Sequence, residues 1–171
     1  PAIATRPRRE LLSERLLALF LVAPQYIEEI IGAILPEMLE PQQLQDLYTK
    51  LVRCYTAYNL PGSAAAGADF RQFWHSWASK EDPHILSTAD LLELYADKEF
   101  ESWDDAHIRG EVQFLNTELR REYLKERRLK LAADMRQAER SGDLERVSAL
   151  TREFEELAAR QQHEDQPARF F

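Results

Sequence analysis

Apolar residues crowd the first half of this chain and thin out along the second, and the two halves carry different periodicities. In "RRELLSERLLALFLV", residues 8–22, positions 16–22 are apolar on every side. A helix without a polar face belongs at the centre of a bundle. Pro24 ends it and suits the first position of a following helix, "PQYIEEIIGAIL". Over residues 41–58, Leu44, Leu47, Tyr48, Leu51, Val52, Tyr55 and Tyr58 recur at helical spacing and predict a third helix. "NLPGSAAAGAD", residues 59–69, is loop-like, with one Pro, two Gly and a Ser. "FRQFWHSWA" then predicts an aromatic helix. "STADLLELYA" predicts another, with Ser87 and Asp90 spaced as a capping box.

From Asp104 the character changes. Asp104 or Asp105 caps a helix carrying Ile108, Val112, Leu115 and Leu119 at spacings of four, three and four. No proline occurs between positions 84 and 166, so one helix is expected over about residues 106–140. It ends at "AERSGDLERV", residues 138–147. There Arg136 and Arg140 suit the negative helix pole, Gly142 suits a left-handed C′ position, and Asp143 caps the next helix. Val147, Leu150, Phe154 and Leu157 follow at spacings of three, four and three, a seam able to face Leu131, Met135 and Ala138. The predicted fold class is all-α: a multi-helix bundle, residues 1–115, joined by a long helix to an antiparallel helical hairpin, residues 116–164, with a tail at 165–171.

So thin a seam leaves two arrangements open. The hairpin docks back on the bundle, or it projects and completes its burial on a partner protein. Its first arm is locally basic, since residues 120–130 hold six basic and two acidic side chains. The second arm leans acidic through Asp143, Glu145, Glu153, Glu155 and Glu156. The two arms therefore complement each other, or Arg120, Arg121, Lys125, Arg127, Arg128 and Lys130 form a basic contact surface.

Composition narrows the function. A net charge of −8 argues against a general nucleic-acid binder, although a local patch overrides a net value. A single cysteine, Cys54, excludes an intrachain disulfide framework and fits a reducing cytoplasm. The longest apolar run, residues 16–23, falls short of a membrane span, and "PAIATRPRRE" is not a signal peptide. Beginning on Pro1, the chain is expected to be either trimmed of its initiator or a piece of a longer protein.

Catalytic patterns are missing. "PGSAAAGAD" lacks the Lys-Ser/Thr ending of a phosphate loop. His75, His84, His107 and His163 have no zinc-like spacing and are expected as surface or satisfied interior residues. The acidic group Asp97, Glu99, Glu101, Asp104 and Asp105 reads as a solvated loop with a helix cap rather than a cation site. Cys54 lies on an apolar face as a small core residue, and Phe70, Trp74 and Trp77 are expected in packing. No catalytic, metal-binding or cofactor-binding residue is assigned, and the chain is expected not to be an enzyme.

"RRELLSERLLALFLVAPQYIEEIIGAILPEML" resembles the opening of the C-terminal helicase-binding region of bacterial DNA primases. "LNTELRREYLKERRLKLAADMRQAERSGDLERVSALTREFEELAAR" is similar to that family's closing segment, a long charged helix, a Gly-containing turn and a second charged helix. The resemblance implies a bundle and terminal hairpin that dock primase on the N-terminal domains of the replicative hexameric helicase and modulate helicase activity in DNA replication. It also implies that zinc, magnesium and primer synthesis belong to other parts of such a primase. The residues expected to contact helicase are the apolar Leu144, Val147, Leu150 and Phe154, exposed near the tip and second arm. Arg140 and Arg146 stand beside the turn, and Phe170 and Phe171 are a tail anchor. The N-terminal domain of the helicase itself is similar in design. The same pattern also suits a helical adaptor unrelated to replication or, less well, a nucleic-acid-binding hairpin.

Overall fold

A computed structural model describes residues 5–63 and 67–165. Among these residues there are seven α-helices and no strand, as the all-α pattern predicts. They are α1 (Arg8–Val22), α2 (Ile27–Ala33), α3 (Gln42–Tyr58), α4 (Phe70–Glu81), α5 (Leu86–Phe100), α6 (Asp105–Ser141) and α7 (Leu144–Asp165). The chain divides into two compact units, Pro1–Leu119 and Arg120–Phe171, so α6 supplies side chains to both. Leu119 is fully buried in the core of the first unit, and Leu124 belongs to the core of the second.

In that unit α1 packs against α3, α4 and α5, as its all-round apolar surface requires. Leu16, Leu17, Leu19 and Phe20 are fully buried. Pro24 opens a short 3-10 turn, Pro24–Tyr26, instead of starting α2 directly. The aromatic residues serve packing. Trp74 is fully buried and stacks on Trp77, while Phe70 meets Phe20, Tyr55 and Tyr58. Cys54 is likewise interior.

Polar groups fasten the ends of the helices. Asp69 caps α4 by accepting the N–H of Gln72 at 2.8 Å. The expected capping box at Ser87 does not form. Ser87 Oγ instead donates to the His84 carbonyl, and Asp82 accepts the His84 N–H at 3.1 Å at the head of a 3-10 turn, Pro83–Ile85, that runs into α5. This extra turn places Ser87 inside the helix, where no free N–H is left for it to cap. Asp104 caps α6 through the N–H of His107 at 2.8 Å, whereas Asp105 accepts the Tyr26 hydroxyl at 2.7 Å.

Arg15 ties α1 to two neighbours. Its guanidinium lies over the rings of Phe100 and Trp103, donates to Glu99 and to the Tyr95 hydroxyl at 2.8 Å each, and bonds Glu111. No single helix among the described residues is long and apolar enough to cross a membrane; α1 and Pro24–Ala33 approach this only as a pair bent by 111°.

Candidate docking hairpin

The second unit is built outward from its turn. Gly142 has φ +71°, a left-handed conformation that a glycine adopts without steric cost. The N–H of Gly142 bonds the Glu139 carbonyl at 3.2 Å, and the N–H of Asp143 bonds the Ala138 carbonyl at 3.0 Å. This pair is a Schellman motif, which closes the last turn of α6. Asp143 then reverses role. Its carboxylate accepts the N–H of Arg146 at 3.0 Å and its carbonyl the N–H of Val147, so one residue ends α6 and caps α7.

Leu124, Leu131, Ala138, Leu150 and Leu157 are buried in a seam, with Tyr123, Met135, Val147 and Phe154 packed along it. The alternating three- and four-residue steps give each helix one narrow apolar stripe, the pattern of a coiled-coil seam. Arg127 forms an ion pair with Glu153, and Arg128 donates to the Gln161 side chain at 3.0 Å. These contacts bind the basic arm to the acidic one.

This arrangement separates residues expected to act together. Leu144 is 80% exposed at the first position of α7. Leu150, expected on the surface, is only 4% exposed, and Val147 and Phe154 are half-buried beside it. The physical reason is that α6 presents Leu131, Met135 and Ala138, and the face of α7 carrying Val147, Leu150, Phe154 and Leu157 packs with them in one cluster. Arg140 and Arg146 are exposed on either side of the turn, and Phe170 and Phe171 lie outside the described residues. Of the basic surface, Lys125, Arg128 and Lys130 are exposed, Arg127 is half-buried against Glu153, Arg121 is exposed and Arg120 half-buried. An apolar residue not singled out in the sequence joins the surface: Leu129 is 64% exposed. Its signal was its position, off the stripe that carries Leu124 and Leu131.

The acidic group of residues 97–105 forms no common site. Asp97 pairs with Arg71, Glu99 with Arg15, Asp104 with the head of α6 and Asp105 with Tyr26. Each of the three aspartates is held below the usual carboxylate range, chiefly by a hydrogen bond: from Arg71 to Asp97, from the His107 N–H to Asp104, and from the Tyr26 hydroxyl to Asp105. No family model, curated protein or solved structure matches the chain.

Proposed function

We propose that this chain is a non-catalytic interaction module that recruits DNA primase to the replicative hexameric helicase, by binding the helicase's N-terminal domains, and modulates helicase and priming activity. The likeness of both ends of the chain to the helicase-binding region of primases supplies the partner. The observation that carries the surface is Leu144, a large apolar side chain left 80% exposed directly after the Gly142–Asp143 turn. Exposed leucine at a fixed turn is suited to burial on another protein, and a few such residues dominate many interfaces. Arg140 and Arg146 flank it as the rim, and nucleic acid is at most a weak ligand of this chain.

Leu144→Asp tests the proposal cleanly. At the first turn of α7 an aspartate favours the helix dipole, so the hairpin keeps its helicity. Affinity for the helicase hexamer should fall by roughly tenfold or more, measured by co-elution and titration. Unchanged binding with full helicity would remove Leu144 from the interface, and no binding by the unaltered chain would remove the helicase.

A further inference from the structure

A second site lies in the first unit, away from the hairpin. His75 on α4 meets Asp90 and Glu93, three residues apart on α5. His75 Nε2 is 3.1 Å from Glu93 Oε1, and Nδ1 is 3.8 Å from Asp90 Oδ1. One donor atom from each of the three residues lies within 4.8 Å of the other two. A tetrahedral ion with bonds of about 2.0–2.2 Å holds its donors roughly 3.4 Å apart. The ion takes one imidazole nitrogen, and the Glu93 and Asp90 carboxylates, on adjacent turns of α5, are the groups that must converge on it.

The second observation is Glu93 itself, which is only 4% exposed. Its Oε2 accepts the Arg71 Nε–H at 2.6 Å and lies 3.1 Å from His75 Nε2, whereas its Oε1, also 3.1 Å from that nitrogen, is buried and has no aligned hydrogen-bond donor. A buried carboxylate oxygen without a donor is costly, and coordination to a cation satisfies it. Arg71 also donates to both oxygens of Asp97, at 3.1 and 2.9 Å. It therefore fixes the Glu93 carboxylate from behind and leaves Oε1 turned toward the imidazole, as the outer partners of metal ligands do. Charge points the same way. Asp90, Glu93 and Asp97 set three carboxylates against the single guanidinium of Arg71 beside the His75 imidazole.

The geometry points to a divalent transition-metal site formed by His75, Asp90 and Glu93, with zinc as its best-fitting ion. One imidazole nitrogen with two carboxylate oxygens suits zinc and its neighbours, whereas magnesium and calcium favour all-oxygen sets. His75 is half-buried and Asp90 exposed, so the ion exchanges with solvent and keeps room for water. Binding joins α4 to α5 and stabilises the bundle by mass action.

The test is titration of the full, chelator-treated and untagged chain with zinc chloride, followed by calorimetry and thermal unfolding. One saturable site is expected, with a raised unfolding temperature. His75→Gln and Asp90→Asn should each weaken binding by about tenfold or more. Asp90 is exposed, so its variant keeps the fold while removing a ligand. His107→Gln, which removes the separate His107–Asp104 pair, should leave affinity unchanged. The assignment is overturned if zinc does not saturate a single site, if both ligand variants bind as well as the parent, or if magnesium binds equally tightly.

Discussion

At the scale of single residues, environment sets chemistry that residue type leaves open. Cys54 is fully buried on α3, and burial pushes its thiol up to about 12. A thiol held so far above its ordinary value is neither nucleophile nor ready ligand. It should label with a thiol reagent at neutral pH only as the protein unfolds, and fast labelling of the native chain would contradict the buried position. Asp97, Asp104 and Asp105 behave in the opposite sense, each held down by a hydrogen bond present only in the fold. A carboxyl with a depressed folded value contributes stability in full above its unfolded value, about 3.9, and loses that contribution as pH falls through the folded value. Thermal midpoints should therefore drop below about pH 4, and the double change Asp97→Asn, Asp105→Asn should shallow that drop. An unaltered acid limb would show that these contacts are absent in solution. The aspartates themselves were legible in the sequence, and Asp104 or Asp105 was the expected cap. Which of the two caps could not be read, because the choice depends on Tyr26, far away in the chain and adjacent in space.

At the scale of elements, the hairpin shows what periodicity conveys. Gly142 and Asp143 announced the turn because left-handed φ and N-capping are local demands. The step pattern of Val147, Leu150, Phe154 and Leu157 marked one face of α7, but local pattern does not say whether that face meets its own partner arm or another protein. The antiparallel arm takes it, and Leu150 becomes interior. Leu150→Ala should cost about 2–5 kcal/mol of hairpin stability, as buried leucines do. Gly142→Ala should cost about 1 kcal/mol, since alanine is strained at φ +71°. Leu144→Ala, at an exposed position, should stay within about 0.5 kcal/mol. Urea unfolding followed by helicity ranks the three, and a Leu144 effect as large as that of Leu150 would invert the assigned faces.

For the whole molecule, the two units differ in substance. Residues 1–119 hold ten Lys and Arg against nineteen Asp and Glu, whereas residues 120–171 hold twelve against eleven. Among the described residues, twenty-nine buried hydrophobic side chains form the core of the first unit and five that of the second. Local opening is easiest where few apolar contacts must break. Backbone amides of α7 should exchange with solvent well before those of α1 and α3, and equal protection would mean the hairpin is covered in solution. The sequence by itself determined the all-α class, the central place of α1, the long helix and the turn at Gly142, because periodicity, proline placement and capping are properties of neighbouring residues. Only the tertiary structure decided that Leu144 stands in solvent while Leu150 does not. It also brought His75 against Asp90 and Glu93 and gave Asp97, Glu99, Asp104 and Asp105 separate partners. Those outcomes depend on side chains from different helices meeting, and such meetings are selected by packing, not by spacing along the chain.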